Sequence, residues 1–130
     1  MTELMAIVLA AGEGTRMKSA HPKVLHKVGG RPIAGHVLAA AREAGAGAIA
    51  MITGPGHEVV RKAMAAIDPE VAFFEQTERK GTAHAASMAR PAFAEASGYV
   101  AVVYGDHPLL RGADFSRVTE RLDAGLDAAI

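Results

Sequence analysis

Met5 to Ala10 (MAIVLA) is a continuous apolar run that breaks off at Ala11-Gly12-Glu13-Gly14. Apolar residues at every position, rather than at alternate ones, are what a strand needs when both faces of its sheet are covered. A glycine-rich turn directly after such a strand is a βα connection, so the chain must continue into a helix that crosses back over the sheet. That feature directs the reading towards an α/β fold with a parallel sheet covered on both faces.

The rest of the chain repeats the alternation. Pro32 to Ala44 has proline at the first helical position, Gly45 just past the end, and Ile33, Val37, Leu38 and Ala41 on one stripe, the start and stop signals of an amphipathic helix. Ala48 to Thr53 is the next apolar strand, Gly54-Pro55-Gly56 a turn, and His57 to Ala66 a helix that stops before Asp68-Pro69. Val71 to Gln76 is a third strand, and Thr82 is a candidate N-cap for a helix to about Arg90. Tyr99 to Tyr104 (YVAVVY) is the clearest strand, followed by a helix over about Gly112 to Ala124 with Phe115, Val118 and Leu122 on its buried side. Ala128 to Ile130 reads as a strand that has just begun.

The composition fits one domain. With 130 residues the chain can bury roughly two thirds of the surface its unfolded form exposes. The absence of cysteine excludes a disulfide scaffold, a zinc ribbon and a thiol nucleophile. Fourteen basic residues balance fourteen acidic ones, so no global field draws in nucleic acid or an anionic membrane, and any anion site must be local. The apolar runs are far shorter than the ~20 residues of a membrane span. The N-terminal MTELM carries an acid and lacks the basic stretch of a secretory signal. A cytoplasmic protein is expected, without nucleic-acid or membrane partners.

Ligands of parallel sheets bind beyond the carboxyl ends of the strands. This places three segments on one edge: 11–23, 76–82, and Gly105-Asp106. The first contains LAAGEGTRMKS (9–19), in which Gly12 and Gly14 let backbone N–H groups approach a polyphosphate while Thr15, Arg16 and Lys18 add a hydroxyl and two cations. It is neither a Rossmann fingerprint nor a Walker A loop, because Met17 stands where each requires glycine. The segment continues as HPKVLH (21–26), where Pro22 stiffens the backbone that presents Lys23.

The two segments, together with Gln76, Gly81-Thr82 and Tyr104-Gly105-Asp106 in the same order, resemble the sugar-phosphate nucleotidyltransferases. The likeness is strongest to the uridyltransferase domain of the bacterial bifunctional uridyltransferase/acetyltransferases, and it spans essentially the whole chain. It implies a Rossmann-like nucleotidyltransferase fold, a mostly parallel sheet with helices on both faces, of which residues 1–130 are the N-terminal portion. The implied reaction is attack of N-acetylglucosamine 1-phosphate on the α-phosphorus of UTP, giving UDP-N-acetylglucosamine and pyrophosphate, a precursor of peptidoglycan and lipopolysaccharide. Such a transfer rests on positioning and charge neutralisation and needs no protein nucleophile.

By the same resemblance, Leu9, Ala10, Ala11, Gly12 and Gly14 with Thr15 hold the nucleotide, Arg16 neutralises the leaving phosphates and Lys23 reaches the α-phosphate. Gln76 and the backbone of Gly81 meet the base, Thr82 contacts the ligand, and Tyr104 and Gly105 complete the nucleotide site. Asp106 holds Mg²⁺, which takes one or two carboxylates and fills its octahedron with water and phosphate oxygens. The Gln76 amide carries a donor and an acceptor side by side, and if flipped it pairs with cytosine almost as well as with uracil, so uridine selectivity is expected to come from fixed backbone donors. Read on its own, Thr82 serves equally as a plain helix cap, and Asp106 as a turn residue. The six histidines show no metal-ligand spacing and are expected to pack or to face solvent, with His107 pointing away from Asp106 because neighbours along a strand alternate. Glu78-Arg79-Lys80 reads as a solvated loop without a role.

In the family the sugar-binding segments and a second metal ligand follow later in the chain, as does a left-handed β-helix that carries acetyl transfer and trimer formation. The 130-residue chain is therefore expected to be truncated, monomeric, and weakly active or inactive, with a homotrimeric parent. Two other readings stand beside it: a relative acting on another sugar or nucleotide, and a noncatalytic nucleotide-binding fragment.

Overall fold

A computed structural model describes residues 3–12, 21–94 and 96–130. Four strands form one parallel sheet: β1 (Leu4–Ala10), β4 (Ala48–Thr53), β5 (Ala72–Glu75) and β6 (Tyr99–Tyr104), in the order β5-β4-β1-β6. Two short strands, β2 (Lys27–Val28) and β3 (Arg31–Pro32), make a separate antiparallel hairpin. The helices are α1 (Ile33–Glu43), α2 (Glu58–Ile67), α3 (Thr82–Ser87), α4 (Arg90–Phe93) and α5 (Gly112–Asp123).

β1 lies between β4 and β6, which is why it can be apolar throughout: Met5 and Ile7 enter one core, Leu4, Ala6, Val8 and Ala10 the other. The second core is closed by α1 and α2 through Val37, Leu38, Val60 and Met64, and by Phe115 of α5. The first is closed by Ala85 of α3, by Ala89, and by Phe93 of α4. Helices thus cover both faces, and the small side chains of α3 let that short helix lie close to the sheet. β6 is an edge strand covered on one side only, so Tyr99, Ala101 and Val103 pack inward while Val100, Val102 and Tyr104 are exposed.

Two helices end at glycines, the first of them where Gly45 is expected to stop it. Gly45 (φ 90°) and Gly125 (φ 110°) adopt the left-handed conformation, and the next residue donates back to the carbonyl five positions earlier, Ala46 to Ala41 and Leu126 to Arg121. The second stop turns the chain out of α5, and Ala128 to Ile130 form no strand, contrary to expectation: they run beside α5 and β6 without entering the ladder.

Two further expectations are corrected. The helix from Thr82 to Arg90 is two pieces, because Pro91 has no N–H to return to the Ser87 carbonyl and the helix restarts with proline in its first turn. Thr82 is not the N-cap: Gly81 holds that position at φ 98°, a conformation that favours glycine, and Thr82 is the first helical residue. The β2–β3 hairpin was not anticipated. Its Gly29-Gly30 pair sits at φ 60° and 80°, the requirement of the tight turn that matches the twist of antiparallel strands.

Candidate active site

The chain runs outward from β1 through α1 to β4 and through α2 to β5, then returns by α3 and α4 to place β6 on the far side of β1. The direction of winding therefore reverses between β1 and β6, and a crevice opens there beyond the carboxyl ends. A cavity of about 410 Å³ occupies it. Its walls come from the end of β1 (Leu9 and Ala10, with Ala11 and Gly12), the turn at Lys23 and Val24, and the segment after β5 with the start of α3 (Gln76, Arg79, Gly81, Thr82 and Ala85). The end of β6 adds Tyr104 and Asp106. Gly105 holds the wall rather than lining it, its N–H donating to the Leu9 carbonyl at 2.8 Å. A Cβ there would stand 3.1 Å from the same oxygen, so glycine permits the close approach. Gly14, Thr15 and Arg16 lie outside the described residues.

Lys23 opens a single 3₁₀ turn, Lys23–Leu25, whose Val24 and Leu25 are buried, so the hydrophobic side of the turn anchors the ammonium at the cavity rim. Its Nζ lies 2.7 Å from Asp106 Oδ2, an ion pair between positions 83 apart in sequence, with each side chain about one-third exposed. Burial opposes ionisation of Asp106 most strongly. The Lys23 hydrogen bond and charge, aided by His107, outweigh it and hold the carboxyl below the ordinary aspartate range. His107 Nε2 is 3.6 Å from Asp106 Oδ1 and its ring leans on Tyr104. The expected opposite orientation fails because Gly105 and Asp106 form a turn, where strand alternation no longer applies.

Gln76 is buried, and its Nε2 lies 3.0 Å from His84 Nδ1 and 3.4 Å from the Gly81 carbonyl. Thr82 Oγ1 is 3.4 Å from the Tyr104 hydroxyl, joining the α3 wall to the β6 wall. Arg79, which the sequence left in a solvated loop, reaches into the cavity wall, its Nη2 3.5 Å from the Ala11 carbonyl. Glu78 and Lys80 pair with each other at the surface. The only signal that could have singled out Arg79 is its place between Gln76 and Gly81, two residues already assigned to the site.

Among the described residues the arrangement offers a concave wall of backbone, a buried amide, the Lys23 ammonium, the Arg79 guanidinium and one ionised carboxylate. Lys23 suits a phosphate oxygen, and an incoming anion competes with Asp106 for it. As a cation ligand Asp106 is a hard, ionised oxygen donor open to the cavity, which fits a divalent ion that takes its remaining ligands from phosphate and water. No group of three or more His, Cys, Asp or Glu side chains able to enclose a metal occurs among the described residues. None of their helices is long and apolar enough to cross a membrane.

Residues 6–130 match the MobA-like NTP transferase domain. The chain is 47% identical over 126 residues to the bifunctional protein GlmU of Bradyrhizobium sp. (strain ORS 278), and 50% identical over 126 residues to that of Xanthobacter autotrophicus (strain ATCC BAA-1158 / Py2). Each match covers 97% of this chain and 28% of the relative, so the chain spans little more than a quarter of their length. The crystal structure of Rv0371c from Mycobacterium tuberculosis H37Rv superposes with a TM-score of 0.71 at 28% identity, over 95% of this chain and 62% of that one. Its complex with manganese superposes at 0.66, over 95% and 61%.

Proposed function

Because this chain belongs to the MobA-like NTP transferase domain family, we propose that it is the nucleotide-binding portion of a sugar-1-phosphate nucleotidyltransferase. Its substrates are UTP and N-acetylglucosamine 1-phosphate, and its products UDP-N-acetylglucosamine and pyrophosphate, in the cytoplasm. The observation that carries this reading is the meeting of Lys23, Gln76, Gly81 and Asp106 around one cavity at the reversal point of the sheet.

The backbone from Leu9 to Gly12 receives the nucleotide beside β1. Gln76 and Gly81 meet the base, and Thr82 with Tyr104 borders the same site. Lys23 leaves Asp106 for an α-phosphate oxygen, where negative charge gathers as the sugar phosphate attacks and pyrophosphate departs in line. A fixed cation there contributes on the order of 3 kcal/mol to the transition state, the magnitude of one oxyanion-hole donor. Arg16 is assigned to the leaving phosphates by resemblance alone. Asp106 would hold a divalent ion, Mg²⁺ in this reading, whose chemistry is neutralisation of phosphate charge. The manganese complex of the mycobacterial relative supports a divalent ion in the family.

Calorimetric titration of the chain with the magnesium salts of UTP, CTP and ATP tests the proposal. UTP is expected to bind most tightly, and Lys23→Ala and Gln76→Ala each to weaken it. A folded chain that binds none of the three, or all three alike, refutes it.

A further inference from the structure

The Gln76 side chain can accept or donate, and which it presents to a base depends on what holds its other half. Its amide nitrogen faces two groups at the start of α3, a carbonyl oxygen and a ring nitrogen that accepts in the tautomer protonated at Nε2. His84 Nδ1 lies at 3.0 Å and the Gly81 carbonyl oxygen at 3.4 Å. Helix geometry sets the spacing of those two acceptors: Ala85 N–H bonds the Gly81 carbonyl at 3.0 Å, and the Ser87 hydroxyl bonds the His84 carbonyl at 2.6 Å. Among the described residues Oε1 has no hydrogen-bond partner, and it is not fully buried, so in a residue only 5% exposed it is the half of the amide left to the cavity.

From this we infer that His84 is a positioning residue that locks the Gln76 amide with its oxygen outward, making the cavity selective for uracil over cytosine. The inference rests on the UTP reading above and deepens it. Uracil N3 carries a proton that an outward Oε1 accepts, whereas cytosine N3 is a lone pair facing that same oxygen. Turning the amide over would let cytosine bind, but it would set Oε1 against the Gly81 carbonyl oxygen and against the lone pair of His84 Nδ1. The lock requires the His84 tautomer protonated at Nε2. A proton on Nδ1 would instead favour the flipped amide.

The test is the ratio of dissociation constants for the magnesium salts of UTP and CTP, measured on the chain and on His84→Ala, His84→Asn and Gln76→Ala. One lost hydrogen bond and one relieved clash correspond to about a tenfold change. His84→Ala is therefore expected to lower the preference for UTP about tenfold. His84→Asn, whose amide oxygen can stand near the position of Nδ1, restores most of it. A folded His84→Ala with an unchanged ratio overturns the inference and leaves the UTP reading intact, whereas a wild-type chain without UTP preference overturns both. ¹⁵N spectra of the histidine rings in the wild-type chain give a readout that needs no variant. Nε2–H is expected for His84, and a dominant Nδ1–H form overturns the lock.

Discussion

Arg42→Ala would remove a clamp at the end of the sheet opposite the cavity. The Arg42 guanidinium donates to Asp68 through Nε (2.7 Å to Oδ2) and Nη2 (3.2 Å to Oδ1), and through Nη1 to the Ala46 and Gly47 carbonyls at 2.9 and 3.2 Å. It thereby ties the turn between α1 and β4 to the loop that leads into β5. The side chains are 27% and 14% exposed, so this is a partly buried, two-pronged pair rather than a surface contact. Breaking a fully buried pair costs about 3–5 kcal/mol and an exposed one about 0–1. With partial exposure and two carbonyls able to turn to water, about 2–3 kcal/mol is expected for Arg42→Ala at pH 7. With a urea slope of about 1–3 kcal/mol/M, that lowers the midpoint by about 1–3 M.

The pH dependence fixes the sign. The Arg42 hydrogen bond, opposed by burial and aided by the Glu70 N–H and the Arg42 charge, holds the Asp68 carboxyl below the ordinary aspartate value. A carboxyl with a lowered folded-state pKa contributes stability that is complete above the unfolded value of about 3.9 and lost as pH falls through the folded one. Arg42 itself is raised, mainly by the same hydrogen bond, so its contribution disappears only in strong alkali. The gap between wild type and Arg42→Ala should be constant from about pH 5 to 8 and narrow in acid, where Asp68 is protonated and the bonds to the Ala46 and Gly47 carbonyls remain. Urea titrations across that range, with Asp68→Ala and the double variant to isolate the pair, provide the measurement. A gap below about 0.5 kcal/mol at pH 7, or one that does not narrow as acid protonates Asp68, would refute the reasoning. Because the clamp is remote from the cavity, UTP affinity of the folded variant should not change.

Two further outcomes follow from close contacts elsewhere. A Cβ on Gly98 would overlap the Glu3 carbonyl oxygen, the acceptor of the Tyr99 N–H that begins the β1–β6 ladder. Gly98→Ala should therefore cost more than about 2 kcal/mol in urea unfolding, and wild-type stability would show that β6 does not start there. In Lys23→Ala the Asp106 carboxyl keeps its burial but loses the ammonium 2.7 Å away, so its pKa, followed by carboxyl ¹³C shifts, should rise. No change would mean that the pair does not form in solution.

The parts of the fold that could be read from sequence are those where burial acts on consecutive residues. β1 and β4 are flanked by strands and helices, so their apolar runs are unbroken, and Gly45 marks the end of α1 because the left-handed turn there favours glycine. The break between α3 and α4 was in principle visible in Pro91, but a proline near a helix end reads equally as a stop and as a restart. Residue spacing predicted well inside strands and poorly just beyond them. His107 was sent away from Asp106 by an alternation rule that lapses one residue earlier, at Gly105.

The pairings within the cavity were illegible for a different reason. Lys23 with Asp106, and Arg79 with Ala11, join positions 83 and 68 apart, and neither partner carries a local sign of the other. What brings them together is the order of the strands, set by which crossover passes which face. An apolar pattern specifies that faces are covered, whereas the strand order decides which loop ends share an edge. Gln76 and His84 are the intermediate case. They are only 8 positions apart, yet their contact depends on Gly81 turning the chain at φ 98° so that the first helical turn folds back over the end of β5. The Gly81-Thr82 pair therefore has a structural task beside any contact with the nucleotide. It aims α3 so that the amide of Gln76 finds its acceptors, and a substitution at Gly81 would disturb base recognition even if the ligand never touched that residue.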